Sequence, residues 1–350
     1  MVVLSDRDYR VLMEAGKLKI FPEPEDHDLQ PASIEIRMGR ETWITNFKLP
    51  TFDIGLLRRF GKRYFIKDGE DLTLYPGLVY YVKSLADFVI PVPAKTEGRS
   101  SLGRLGVSVK AVNRSHKYIE ANHKGPLWFV IEAHAFPVKI YPGTAICHLV
   151  LRDPANMDIM PSGEVAAAYG RSFALYPANG EGLLDFGTVA RGNALQLTLA
   201  EMELKRGVDR GRPFDIREGA DEGDYFESVD IGEEGVVMEA GRFYLAHARE
   251  RVMVNNEVVG FLQQLDPESG ILAHWEAGLF DPGFVGQPVL EMMQFGKANL
   301  LLFPGQEIGK LVFERLSRPS ARGYGDFKGK AGKGKYYAQS GTVTSRIHME

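Results

Sequence analysis

The sequence predicts a mainly β protein made of two similar halves, with one short helix at its start. Three observations predict this. The 38 glycines and 19 prolines fall between short apolar runs, the pattern of many short strands joined by turns. Apolar residues alternate with period two at 34–38 and 195–199, which is half-buried antiparallel strand patterning. Finally, the chain resembles itself, with landmarks recurring at one spacing.

Taken in order, residues 5–17 read as a helix. Ser5 is a plausible N-cap, Tyr9, Val11, Leu12 and Met13 are the apolar positions, and Gly16 is a stop signal. The segment DGEDLTLYPGLVYYV (68–82) resembles IGEEGVVMEAGRFYLA (231–246). FVIEAHAFPVKIYPGTAICHLVL (129–151) resembles PVLEMMQFGKANLLLFPGQEIGKLVFERL (288–316). Pro142 and Pro304 are 162 residues apart, and Glu132 and Glu291 are 159 apart. The expected domains are therefore 1–175 and 185–350, with the glycine-rich stretch 161–182 as the linker.

Composition narrows the class. The chain has 350 residues, a formal net charge of −4, 44% apolar and 25% charged residues, ordinary values for a globular protein. That excludes global disorder, and the mild acidity argues against bulk nucleic-acid binding. One cysteine, Cys147, excludes an intrachain disulfide and a cysteine-rich zinc site, so a reducing, cytoplasmic setting is the expectation. No apolar run is long enough for a membrane span. The start of the chain, interrupted by Asp6, Arg7, Asp8 and Arg10, does not read as a signal peptide.

The halves are unequal. Residues 98–106 read GRSSLGRLG, whereas the matching stretch near 261–271 has lost its arginines. Residues 277–286 read AGLFDPGFVG, whereas the matching stretch near 113–125 reads NRSHKYIEANHKG. Each half keeps one motif and has lost the other, which a site built from both halves would tolerate. In the first motif, glycines permit close backbone approach, and Arg99 and Arg104 supply planar charge-assisted donors. Ser100 and Ser101 add hydroxyl donors, so the cluster suits a polyphosphate as well as a plain solvated turn. In the second, the Asp-Pro-Gly sequence at 281–283 reads as a hairpin with Asp281 at its tip. Glu132 and Glu291 each sit among apolar neighbours. Such a carboxylate faces solvent on a strand or, if buried, suits general acid–base work. The basic, glycine-rich tail from Arg322 to Tyr336 suits either a segment that folds over a phosphate or a solvated tail. The eight histidines contain neither HxH nor HExxH, so no metal site is expected.

Together these segments resemble the dCTP deaminase branch of the trimeric dUTPase-like superfamily, as a tandem, double-length form. LSDRDYRVLMEAGKLKI with QPASIEIRMG (30–39) is similar to its first helix and strand, and GRSSLGRLG to its phosphate motif. AGLFDPGFVG with VLEM (289–292) resembles its base-binding hairpin and glutamate strand, and the tail its lid. The resemblance implies two dUTPase-like distorted β-barrel, jelly-roll-like domains. It also implies a homo-oligomer, a trimer by family habit, with sites between domains and a dCTP or dUTP nucleotide as ligand. It assigns catalysis to Glu291 or Glu132, with Ser100 and Arg104. Substrate contacts fall to Arg99, Ser101, Ala277, Asp281, Val289, Tyr324, Lys335 and Gln339. Leu279 stands where the family often has a hairpin arginine. The implied reaction is hydrolytic deamination of dCTP without zinc, with Mg²⁺ only as the triphosphate's counterion. A dUTP pyrophosphatase, a bifunctional enzyme and a non-catalytic nucleotide-binding regulator are the alternatives, and no nucleic-acid or membrane partner is implied.

Overall fold

The computed structural model describes residues 2–49, 52–112, 118–153, 159–178, 180–263, 265, 272–273, 277–294, 296–326 and 334–349. The fold is mainly β, in barrel-like sheets. The expected first helix is Asp6–Glu14, with the backbone N–H of Ser5 donating to the Asp8 carboxylate at 2.9 Å. This N-terminal arrangement satisfies donors that the first turn leaves unpaired. Tyr9 anchors the helix: its hydroxyl donates to the Leu149 carbonyl at 2.9 Å and accepts from the Leu151 N–H at 2.8 Å.

The two halves repeat one another in register as well as in sequence. In the first half, Ala145–Asp153 lies between Ile34–Thr45 and Ala94–Gly98; in the second, Glu307–Arg315 lies between Ala194–Thr198 and Val258–Gln263. Leu149 faces Ile34, and Leu311 faces Leu195. Both pairings shift register at the matching place, beside Ala145 and beside Thr198. Turns are locked alike, since the N–H of Tyr75 donates to the Tyr80 hydroxyl (2.9 Å) and that of Glu239 to the Tyr244 hydroxyl (3.0 Å). Inward-facing apolar residues of each half form a large core, because a strand with period-two patterning must bury one face, and the first core also takes in Phe214, Phe226, Phe243 and Leu245 of the second half.

Parts of the stretch 161–182, expected as the linker, pack into the second half. Helix Ser162–Ala168 buries Val165 in the second core, and Phe173–Pro177 pairs with Glu250–Val254. The Phe173 ring stacks on Phe313 with centroids 3.6 Å apart. Burial of one aromatic and one valine outweighs the small-residue composition that suggested a linker.

Between the halves lies a smaller core containing Val150, Val259, Phe261 and Val312. Beside it, the Arg152 guanidinium forms two bonds to the Glu314 carboxylate, at 2.6 and 2.8 Å, with both side chains buried. The second half also lends the strand Phe214–Asp215 to the edge of Val138–Ile140 in the first. Removing one member of a buried ion pair strands the other charge. Arg152→Ala is therefore expected to cost about 3–5 kcal/mol of stability, read from the urea midpoint. Arg152→Ala with Glu314→Ala is expected to cost less than that single variant.

Candidate active site

A cavity of about 850 Å³ opens between the halves. The first half contributes the short helix Ser100–Gly103, which follows the strand Ala94–Gly98 and carries Arg99 at its N-cap. The second contributes the turn at 281–284, closed by the Phe284 N–H donating to the Asp281 carbonyl at 3.0 Å, with Gly283 at φ +82°. That left-handed conformation explains the glycine. Ala277, Leu279, Asp281 and Val289 line the wall on this side.

The tail closes the third side, and its placement rests on a dense bond network. The Arg104 guanidinium donates to the Val343 carbonyl (2.8 Å) and the Gln339 side-chain oxygen (2.9 Å), and lies 3.8 Å from the centre of the Tyr336 ring. The Lys335 ammonium donates to the Ser101 hydroxyl at 3.2 Å, and the Ser345 hydroxyl to the Ser101 carbonyl at 2.6 Å. The Tyr336 N–H donates to the Tyr324 hydroxyl at 3.1 Å, which places Tyr324 on the cavity wall. The Gln339 amide donates to the Gln287 carbonyl at 2.6 Å. Arg99, Ser100, Ser101, Arg104, Ala277, Asp281, Val289, Tyr324, Lys335 and Gln339 therefore line one cavity.

The two glutamates part company. Glu291 is fully buried on the strand Val289–Met293, directly beneath the Ser100–Gly103 helix. A methyl group on Gly103 would fall 2.8 Å from its Oε1. This glycine thus permits the Ser100–Gly103 helix to lie against a carboxylate. Neither glutamate lines the cavity wall itself; the Glu132 carboxylate pairs with the Lys48 ammonium at 2.6 Å, away from the motif helix. Strand register gives the reason. Glu291 faces Leu245 and Val130 faces Tyr81, one residue beyond the matched tyrosines 244 and 80. The counterpart of Glu291 is Val130, and Glu132 lies two residues further along the same strand face.

The first half's counterpart of this wall is filled. Trp43, Val79, Tyr81, Trp128 and Val130 are covered by Leu49, Phe52, Ile54 and Leu57, the last two on the helix Ile54–Phe60 of the same half. The rings of Phe52 and Trp128 lie 5.4 Å apart. Where the second half receives the motif helix of the first, the first half receives its own helix.

The cavity gathers buried cations. The Arg99 guanidinium is 2.6 Å from the Glu35 carboxylate. Burial, with Arg99 and Arg104 nearby, pushes Lys335 down to about 6, opposed by Glu35. Such a site gains most from a polyanion, which would restore the ammonium's charge. Burial, and then the Glu35 charge, push Asp281 up to about 7; its Oδ1 is buried without a hydrogen-bond partner among the described residues. Burial likewise holds His148 neutral, at about 3, beside Ser33. Glu35, Arg37, His148, Arg217 and Tyr336 also line the cavity and escaped the sequence reading. The alternation of Glu35 and Arg37 along one strand face was the available signal.

Residues 3–153 and 191–316 match the model of a family described as dCTP deaminase-like. The chain belongs to the dCTP deaminase-like family. Two matched segments agree with the duplicated fold. Among relatives, a dCTP deaminase, dUMP-forming, from Methanosphaera stadtmanae is 26% identical over 172 residues, 47% of this chain and 85% of that protein. A dCTP deaminase from Haloarcula marismortui is 35% identical over 127 residues, 35% of this chain and 63% of that protein. The crystal structure of 2'-deoxycytidine 5'-triphosphate deaminase from Agrobacterium tumefaciens superposes with a TM-score of 0.78 at 22% identity, covering 91% of this chain and 99% of that one. It shares the fold at nearly full length. No helix among the described residues is long and apolar enough to cross a membrane.

The raised Asp281 has a stability consequence. Between about pH 4 and 7 the folded chain keeps a proton that the unfolded chain has shed, so folding weakens as pH rises through that window. Asp281→Asn is expected to be more stable than the native chain at pH 8, by up to roughly 4 kcal/mol. The difference should vanish below about pH 4, the ordinary carboxylate range, in urea unfolding at the two pH values.

Proposed function

We propose that this chain hydrolyses dCTP at C4 of the cytosine ring, releasing ammonia and dUTP. The observation that carries the reading is the meeting of Arg99, Arg104, Lys335 and Gln339 with the hairpin of Ala277 and Asp281 in one cavity, with Glu291 buried against Gly103 of the motif helix that helps line it. The arginines and the lysine take the triphosphate, with the Ser101 hydroxyl and Gln339 amide as further donors. Asp281 accepts from the sugar hydroxyl, while Ala277 and Val289 flank the base. Water adds to C4, held by the Ser100 hydroxyl. Glu291 carries the water's first proton to ring nitrogen N3 and its second, from the new C4 hydroxyl, to the amine, which leaves as ammonia as the C4 carbonyl forms. Magnesium enters only as the counterion of the triphosphate, and zinc is not required.

A second reading is a bifunctional enzyme that also splits the product to dUMP and pyrophosphate, supported by the dUMP-forming name of the Methanosphaera relative. Incubation with dCTP and Mg²⁺ separates the two. Ammonia alone supports simple deamination, ammonia with pyrophosphate supports the second reading, and neither product refutes both. Glu291→Gln is expected to slow ammonia release by about 10²–10⁴-fold while nucleotide binding persists. Because the first half's counterpart wall is filled, titration calorimetry is expected to find one nucleotide per chain. Two would contradict this division of the halves.

A further inference from the structure

We propose that Glu35 is a positioning residue for Arg99, holding its guanidinium in the orientation that receives the substrate's phosphates. The proposal rests on the nucleotide-binding reading above. Glu35 lies on Ile34–Thr45, opposite His148 in the neighbouring strand, with its side chain 7% exposed on the cavity wall. Its Oε1 is 2.6 Å from Arg99 Nη2, while Arg99 Nη1 donates to the Ala145 carbonyl at 3.3 Å. Arg99 precedes the motif helix, so its backbone is set by that helix and its head by Glu35. A guanidinium held by a carboxylate and a carbonyl is fixed in one plane, which phosphate recognition requires. Glu35 also faces Asp281 of the other half closely enough to add to the rise of that carboxyl. It therefore stands where the phosphate motif and the hairpin meet.

Two effects oppose each other when the charge of Glu35 is removed. The cavity, already holding Arg99, Arg104 and Lys335, becomes more positive and would attract phosphate more strongly. Arg99, no longer held, loses its fixed plane. In a buried site, misplacement by about 1 Å costs as much as a hundredfold, so the loss of position is expected to win.

The test compares Glu35→Gln and Glu35→Asp with the native chain, by calorimetry with dCTP and with deoxycytidine and by steady-state kinetics. Glu35→Gln is expected to weaken dCTP binding and raise KM at least about tenfold. Deoxycytidine affinity should be unchanged and kcat within about threefold, since the water and Glu291 are untouched. Glu35→Asp, which keeps the charge, should recover part of the loss. The inference is overturned if Glu35→Gln binds dCTP as tightly as the native chain or more tightly. It is equally overturned if dCTP and deoxycytidine weaken together, which would signal general damage to the fold. Should the native chain bind dCTP without releasing ammonia, the deamination reading fails while the affinity comparison still decides the role of Glu35.

Discussion

A guanidinium and a carboxylate, Arg152 and Glu314, meet in the middle of this molecule at positions 162 residues apart, the spacing that also separates the repeated Pro-Gly turns. They are the same position in the two halves. Val150 and Val312 share the small core beside them, again at that spacing. The Lys95 ammonium lies 4.7 Å from the centre of the Phe261 ring, and those two residues face Val150 and Val312 in their sheets. Matched positions therefore meet across a pseudo-symmetry axis, but carry unlike residues. Two copies of the first half brought together this way would press Arg152 against Arg152 and Lys95 against Lys95. Desolvated like charges are strongly unfavourable, so the contact suits only a pairing of unlike halves. The remainder of the site follows from that alignment, because it carries the Ser100–Gly103 helix onto the strand of Glu291.

The unequal loss of motifs then has a physical reading. A pair of related halves offers two walls of the Glu291 type. Here one is met by the partner half's motif helix. The other is closed by apolar side chains around Tyr81 and Val130. Once the second wall is a core, a carboxylate at Val130 would be an uncompensated buried charge, and a hairpin facing it would have no ligand. Burial of Trp43, Phe52 and Trp128 replaces a binding function with packing energy.

Much of this was legible in the residues. The period-two alternation located the strands, Ser5 and Gly16 bracketed the helix, and the Asp-Pro-Gly turn and the arginine–serine cluster marked the cavity's two walls. The choice between Glu132 and Glu291 was not legible, for a reason built into strands: a slip of two residues keeps the same face, so the sequence match looked sound until hydrogen-bond register separated them. The packing within 161–182 was not legible because small residues say little about which apolar neighbour waits for Phe173. Lys335, Tyr336 and Gln339 lie in a tail whose composition suited solvent equally well, and their order comes from bonds to Ser101, Arg104 and Gln287, over fifty to two hundred residues away. Glu35 looked like an ordinary outward polar residue because its partner, Arg99, is set by tertiary contact.

The phosphate-motif helix, the hairpin and the tail that meet in the cavity all belong to one polypeptide. A site shared between separate subunits falls apart as the protein is diluted below its association constant. Here the local concentration of one wall relative to the other is set by the chain that connects them. Dilution cannot separate these walls. The tandem form thus makes the meeting of these walls a matter of folding.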